Sequence, residues 1–550
     1  MAIARRGYAV VSQDCRGTGE SEPDSWDYYI YESEDSQDCV DWITRQEWFG
    51  DFIGSFGASY VGQTQWCMAT HPAMSTIAPQ VSGLGVARNT ARLYMFLNAY
   101  AHTVGKGREK IAIPTNEMER YFEKETMAGG YFSEPLQKPL PPAVLDRFPD
   151  LDRMAPSKAR RWLWEQYCAM TCAQRAEFLK QTLAIEQVTS VDAEGLPSLF
   201  GHTFTPDALT VPSFSPSQLA HLIQAPALLI TGWYDWALND AFATWALLRR
   251  EGGGKAAAGT RMIVGPYAHS MSGYREGLQG HLELLRIPNA MEYVGLLLHW
   301  YRTVQECRSE GWPAVIYYLM GANEWRVAQD WPVPEAHQVR LYLRCNGGLS
   351  TQAPQEPASP EQYVYDPTQP TPTVGGSVVS YIYPPGSVDV RGVQGRADVL
   401  VYSTSALQGD LDVVGPLKMI LYVSSSATDT DFVVRLSDVF PDGRAIQLQS
   451  GILRTRYRNP ESEPELLEPG RIYCLEIDLW ATANRFKAGH RVRVDISSAD
   501  FPHFDRNNNR GGEGLPVSAH QKVYQDPARA SHLLLSVLGQ FPAEPLNFGK

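Results

Sequence analysis

The spacing of apolar positions changes three times along this chain of 550 residues. In the first stretch, short apolar runs alternate with helical patterns. Tyr8 to Val11 and Phe52 to Phe56 read as strands, and a third runs near Ile77 to Pro79. Between the first two, Cys39, Val40 and Ile43 recur at helical spacing. They predict a helix over 34–46, with acids in its first turn and Arg45 in its last, which complements the helix dipole. A second helix is predicted over 63–70. This β-α-β-α-β order defines a mostly parallel sheet covered by helices.

From Ala87 to about His221 the strand signals vanish. Helical patterns occupy 116–124, 158–170 and 173–183, punctuated by Pro135, Pro139, Pro141 and Pro142. Residues 88–221 therefore read as a helical cap inserted into the sheet domain. Trp162 and Trp164 either line a substrate pocket there or pack the cap together, the commoner use of aromatic side chains. Sheet signals resume at 227–231 and 261–264, with helices over 240–250 and 290–305. Residues 1–87 and 222–332 thus form one α/β core. Beyond Val333 the period becomes two: Phe432, Val434 and Leu436, then Leu475, Ile477 and Leu479, then Val492, Val494 and Ile496 alternate with polar residues. Pro441-Asp442-Gly443 marks a turn between two such strands. A β-sandwich of jelly-roll type over 333–550 is expected, with half-buried strands. The Pro-, Gln- and Thr-rich stretch 351–372 reads as a long loop, and no internal repeat is present.

Composition narrows the partners. With 44% apolar and 20% charged residues the chain is that of an ordinary globular protein, too long for one core. A net charge of -13 leaves no basic excess to neutralise phosphates and argues against nucleic acid. No apolar run reaches the roughly 18 residues that span a bilayer, so no membrane partner is expected. Eight dispersed cysteines suit reduced thiols, and with no signal peptide before the first strand the reading is a cytoplasmic protein. Cys168 and Cys172 could share a helix face, but no histidine lies near them, so no metal site is expected.

The candidate chemistry begins at Asp51-Phe52-Ile53-Gly54-Ser55-Phe56-Gly57-Ala58-Ser59-Tyr60-Val61-Gly62. An apolar strand runs into a glycine-flanked turn with Ser59 at its tip, and a helix comes next. That is the layout of a nucleophile elbow, in which a sharp turn lifts a serine hydroxyl clear of a sheet. Val61 stands where the common pattern has its second glycine, and Gly62 comes one later. Alone, the stretch also fits a plain strand-to-helix connection with a buried serine. Gly17-Thr18-Gly19 is no phosphate loop, since no Gly-Lys-Ser/Thr opens a helix after it. Asp235 and His269 each fall just past the C-terminal end of a predicted parallel strand, the edge where open α/β sheets bind ligands. A lone aspartate or histidine in a loop is usually a solvated turn residue. The order Ser, Asp, His is that of an α/β-hydrolase, and it selects Ser59 as nucleophile, His269 as general base and Asp235 as its orienting carboxylate. The backbone N–H of Tyr60 is the expected oxyanion donor. No metal or cofactor is required, because the base activates the serine.

Gly57-Ala58-Ser59-Tyr60-Val61-Gly62, Gly232-Trp233-Tyr234-Asp235 and Gly265-Pro266-Tyr267-Ala268-His269-Ser270 resemble the three catalytic segments of the X-prolyl dipeptidyl-peptidase/cocaine esterase (CocE/NonD) family. Gln13-Asp14-Cys15-Arg16-Gly17, Phe440-Pro441-Asp442-Gly443-Arg444-Ala445 and Phe501-Pro502-His503-Phe504-Asp505-Arg506-Asn507 carry the likeness along the chain. The resemblance implies an α/β-hydrolase core, a helical cap and a C-terminal all-β jelly-roll domain. It also implies an elbow of the form G-x-S-Y-x-G. Such enzymes place several strands before the nucleophile strand, and only Tyr8–Val11 stands there in this chain. About 70 residues would be missing for a domain of the usual size. The family's second oxyanion donor, a tyrosine hydroxyl, has no counterpart. Relatives acting on amino acid esters or peptide N-termini would hold an ammonium with carboxylates beside the catalytic aspartate. Here Trp236, Ala237, Leu238 and Asn239 come after Asp235, with no acid before Asp240. An uncharged acyl group is therefore expected, with Trp236 and Leu238 as further pocket candidates. The substrate would be a small-molecule ester; X-prolyl peptidase or α-amino acid ester hydrolase activity, a non-catalytic binding protein and a homo-oligomer remain alternatives on the sequence alone.

Overall fold

The computed structural model describes residues 3–16, 21–22, 31–84, 148–153, 190–191, 197–198, 220–269, 290–378, 385–459, 464–501, 503–504, 507–511 and 516–542. The helices expected over 116–124, 158–170 and 173–183, and with them Trp162 and Trp164, lie outside these residues.

Six strands form the first sheet: β1 (Gly54–Ala58), β2 (Thr76–Gln80), β3 (Leu228–Tyr234), β4 (Arg261–Ala268), β5 (Val315–Leu319) and β6 (Glu324–Ala328), in that spatial order. The first five are parallel and β6 is antiparallel to β5. The helices are α1 (Glu32–Thr44), α2 (Tyr60–Met68), α3 (Leu238–Glu251) and α4 (Ala290–Gln305). Every residue of β2, β3 and β4 is buried, as parallel strands covered on both faces must be. The pleat explains the two layers. Ala78, Leu228 and Ile230 face Leu297, Trp300 and Tyr301 of α4, whereas Ile77 and Leu229 face Trp66 of α2 and Trp245 of α3. Each such large side chain contributes about 1.5–3 kcal/mol by leaving water. Trp300 does so with its indole N–H satisfied by Thr76 Oγ1 at 2.8 Å.

Tyr8–Val11 is not a strand: Val10 is 47% and Val11 41% exposed. Only Tyr8 finds cover, beside Tyr301. Strand propensity describes fit to a pleated surface, and a four-residue run becomes a strand only where a partner edge is in reach. By contrast β5 and β6, which the sequence pattern did not single out, extend the sheet at its other side.

From His337 to Leu538 twelve further strands form a second, almost wholly antiparallel sheet system, with one short parallel contact at Gly348 and Ser403. Its longest members are β11 (Leu411–Ser425) and β14 (Tyr473–Phe486), paired in register across most of their length, and they stand among β7 (His337–Arg344), β8 (Gly348–Ser350), β9 (Glu361–Tyr365), β10 (Leu400–Ser403), β12 (Asp431–Val439), β13 (Ala445–Arg454), β15 (Arg491–Ser497), β16 (Ala519–Asp526), β17 (Arg529–Ala530) and β18 (His532–Leu538). Two expectations need correction. The stretch 351–372 is not all loop, because Tyr363 and Tyr365 of β9 point inward at a spacing of two and pair the strand with β16. Nor is β12 half-buried: all nine of its residues are buried. Its polar members meet charges inside. Arg435 donates to Asp495 at 2.9 Å and to Asp500 at 3.3 Å, and Asp431 accepts both arms of Arg454 at 3.0 Å.

The second domain clamps the end of β3. Gln449 Nε2 donates to the carbonyl of Trp233 at 2.5 Å, Tyr234 donates to the carbonyl of Gln447 at 3.1 Å, and Asn239 Nδ2 donates to Asp478 at 2.9 Å. The loop after β3 is thus fixed from outside its own sheet.

Candidate active site

Three loops meet at the C-terminal edge of the parallel sheet. Ser59 sits between β1 and α2 with φ 59° and ψ -125°, a backbone state that costs a non-glycine residue about 1–3 kcal/mol. Close packing holds the turn in place. A Cβ on Gly57 would lie 2.5 Å from Val61 Cγ1, and one on Gly62 2.6 Å from Ser82 Oγ and 2.8 Å from the Gln80 carbonyl. Gly62 is therefore the glycine that lets α2 cross the end of β2, so Val61 is tolerated one position earlier. The N–H of Ser59 donates to Gln80 at 3.0 Å. Its hydroxyl does not cap α2 but reaches His269 Nε2 at 2.8 Å. His269 Nδ1 lies 2.9 Å from Asp235 Oδ2, which fixes the Nδ1–H tautomer and leaves Nε2 to accept from the serine.

Asp235 is wholly buried. Its other oxygen accepts the N–H of Ala237 at 2.5 Å, so both carboxylate oxygens are engaged. Glycines bring it beside His269. The β3–β4 register shifts between Gly232 and Tyr234, and a Cβ on Gly232 would stand 2.2 Å from the Tyr267 carbonyl. A Cβ on Gly265 would likewise lie 2.0 Å from the Tyr267 ring. Only glycines fit this local crossing, and it carries Asp235 and His269 past the ends of their strands as neighbours. Burial pushes the Tyr267 phenol up to about 12, so it stays neutral there.

Tyr60 opens α2, where helix N-terminal amides favour negative charge. Its hydroxyl donates to the carboxylate of Glu32, a buried residue of α1, which ties the elbow to the helix below. Gln65 was not singled out from sequence, although it braces the elbow most fully. Its Oε1 accepts from Ser55 Oγ at 3.1 Å and from the Ala78 N–H at 3.0 Å, and its Nε2 donates to the carbonyls of Gly57 and Val61 at 3.1 Å each. A glutamine two residues into the helix predicted over 63–70 gives no signal beyond its register.

The pocket candidates separate. Trp236 stands with its ring 5.5 Å from that of His269 and packs against Phe504 of the second domain. Leu238 does not line a pocket. It is fully buried with Ala241, Phe242, Trp245 and Leu248, because helical spacing puts it on the stripe of α3 that faces the sheet. Among the described residues no group of three or more His, Cys, Asp or Glu could hold a metal ion, and no helix is long and apolar enough to cross a membrane.

A serine, histidine and aspartate joined by hydrogen bonds at the edge of an α/β-hydrolase sheet define the class, a serine hydrolase with a C-terminal β domain. Residues 1–131 match the X-Pro dipeptidyl-peptidase (S15 family), and residues 310–534 match the X-Pro dipeptidyl-peptidase C-terminal non-catalytic domain. The chain is 31% identical to the cocaine esterase of Rhodococcus sp. (strain MB1 Bresler), over 98% of this chain and 89% of that protein. An α-amino acid ester hydrolase structure covers 98% of this chain and 86% of its own, with a TM-score of 0.70 at 22% identity. A CocE/NonD family hydrolase from Staphylococcus aureus covers 95% and 78%, with a TM-score of 0.56 at 15% identity. At those identities the two structures speak to the fold. The chain belongs to the X-Pro dipeptidyl-peptidase (S15) family, in its CocE/NonD group, and is a serine hydrolase of that type.

Proposed function

We propose that this protein hydrolyses small-molecule carboxylic esters with an apolar or aromatic acyl group, through an acyl-enzyme on Ser59. The observation that carries the reading is the line of hydrogen bonds from Asp235 through His269 to Ser59. Ser59 Oγ attacks the ester carbonyl carbon while His269 Nε2 takes its proton. Asp235 stabilises the imidazolium and holds its tautomer. The oxyanion develops beside the Tyr60 N–H. As the tetrahedral intermediate collapses, the C–O bond to the alcohol breaks and His269 returns the proton to that oxygen. Water, deprotonated by His269, then attacks the acyl-serine, and the carboxylic acid leaves with Ser59 restored.

The residues just after Asp235 support the acyl preference. Trp236 places an indole against His269, and the first acid, Asp240, is packed on the backbone of Gly83, where a Cβ would stand 2.4 Å from Oδ2. An ammonium on the acyl part would meet no carboxylate at 236–239. We likewise divide the chain into a core of 1–87 and 222–332, an inserted cap of 88–221 and a β domain of 333–550; the first sheet ending at Ala328 and the second beginning at His337 support the boundary near 333. The test is a panel of aryl acetates and benzoates, α-amino acid esters and X-Pro anilides, with a fluorophosphonate label mapped by mass spectrometry. Label on Ser59 and kcat/KM highest for the uncharged esters are expected. Label elsewhere overturns the nucleophile, and a preference for α-amino esters or X-Pro anilides overturns the acyl assignment.

A further inference from the structure

A cavity of about 390 Å3 opens where the first turn of α3 meets the second domain, within the size range of small-molecule sites. Its wall includes Asn239, Ile452, Asp478, Trp480, His503 and Phe504. Phe504 packs against Trp236, whose ring stands 5.5 Å from that of His269, and neither Ser59 nor His269 is in the cavity wall. It is not the space in front of Ser59.

His503 is the distinctive member. It is 4% exposed, and its Nδ1 lies 3.3 Å from Asp500 Oδ2, a carboxylate that also accepts from Arg435. The carboxylate faces Nδ1 and places a proton there, as in the Nδ1–H tautomer. Nε2, across the ring, is then a buried acceptor, and among the described residues it has no hydrogen-bond partner. A buried acceptor left unmatched is unfavourable, and a donor brought to it relieves that cost.

The charge of the wall decides what would match it. Asp478 accepts from Asn239 Nδ2 on one oxygen and from the Trp480 N–H, at 2.7 Å, on the other, and each oxygen keeps a second lone pair. Among the described residues the one guanidinium in the wall, that of Arg458, is already turned to the Thr455 carbonyl and to Glu465. The cavity therefore offers acceptors and negative charge, with the aromatic rings of Phe504 and Trp480 beside them. Among the described residues a carboxylate or phosphate finds no unengaged cation there. A cation with N–H groups is the ligand whose donors match acceptors such as Asp478 and His503, and it gains from the ring faces.

We propose that this cavity is a second binding site, separate from the ester site, for a small apolar molecule bearing an ammonium group. Benzylammonium is the probe, titrated into the full chain by calorimetry, with benzyl alcohol as its neutral counterpart. Asp478→Asn keeps the shape and the acceptor for the Trp480 N–H, donates its own NH2 to Asn239 once that amide flips, and removes the charge, and His503→Leu removes the open acceptor. One-to-one binding is expected, weakened about ten-fold or more by either substitution, as the loss of a charge-assisted contact implies. Benzyl alcohol should bind more weakly by a similar factor. Absence of saturable binding, an unchanged Kd in folded Asp478→Asn, or equal affinity for the alcohol overturns the proposal. Should His503→Leu fail to fold, Asp478→Asn alone decides it.

Discussion

Strand β3 of the hydrolase sheet and strand β12 of the β domain are both buried from end to end. Leu228–Tyr234 contains no charged side chain; the first charge comes one residue later, at Asp235, in the site itself. Asp431–Val439 carries Asp431, Arg435 and Asp438 through the interior and matches each inside, with Arg454, with Asp495 and Asp500, and with His490 at 2.8 Å. In the parallel sheet, helices cover both faces with hydrocarbon, so a charge has nowhere to be paired until the strand ends. In the β domain, neighbouring strands bring opposite charges into reach. Polar residues along a strand therefore report whether a partner is available, and only sometimes report water.

That contrast makes opposite predictions for the two regions. In the first, substitutions at the sheet edge should silence chemistry and leave the melt alone. Ser59→Ala should lower kcat for aryl esters by on the order of 10⁶, with Tm within a degree or two of the parent. Retention of activity within a few-fold would break the assignment. Asp235→Asn should cost on the order of 10⁴ in kcat, since the imidazole would lose its tautomer partner. A stopped assay compared with the parent reads it.

In the second region the effect should be structural. Arg435→Met leaves Asp495 and Asp500 buried beside a neutral chain, and about 3–5 kcal/mol of stability should be lost, as urea unfolding would measure. If the variant melts with the parent, the interior charges are not holding the domain.

The smallest effect sharpens the boundary between the regions. Asp412 of β11 accepts from Arg485 at 2.6 Å and 2.8 Å and from Arg326 of β6, in the other sheet, at 3.0 Å. Burial alone would raise its pKa, but the two guanidiniums outweigh this and hold it below the usual carboxylate range. A depressed folded-state pKa stabilises above the unfolded value of about 3.9 and ceases to do so as pH falls through the lower folded value. Asp412→Asn should thus be less stable than the parent at pH 7, with the gap closing at the acid end. A gap constant with pH would show that charge is not the cause.

The same contrast explains what could be read from the amino-acid order. The helix expected over 34–46 is α1, shifted by two residues, and Asp235 and His269 do stand past strand ends. Those features are local: an apolar run, a helical stripe, a glycine where backbones cross. What escaped depends on partners far along the chain. Tyr8–Val11 looks like a strand and lacks a ladder. Val315–Leu319 is as apolar and joins β4, a choice made by an edge distant in sequence. Leu238 seemed a pocket residue beside Asp235 until the register of α3 turned it inward. Gln65 and Trp236 owe their roles to what lies across from them, Ala78 and Gly57 in one case, His269 and Phe504 in the other.

The clamp on β3 has a consequence in time. Ser59 and His269 are 210 residues apart, and Gln449 comes 216 residues after Trp233, whose carbonyl it grips. At a synthesis rate of about 5–20 residues per second, the serine emerges from the ribosome roughly 10–40 s before its base, and the brace on the aspartate loop arrives after a similar further wait. Throughout that interval the nascent chain carries an ordinary hydroxyl. A polypeptide made no further than the serine has no means of attacking the esters around it, and the reactive centre comes into being only once His269 has been made, with its brace at Gln449 later still.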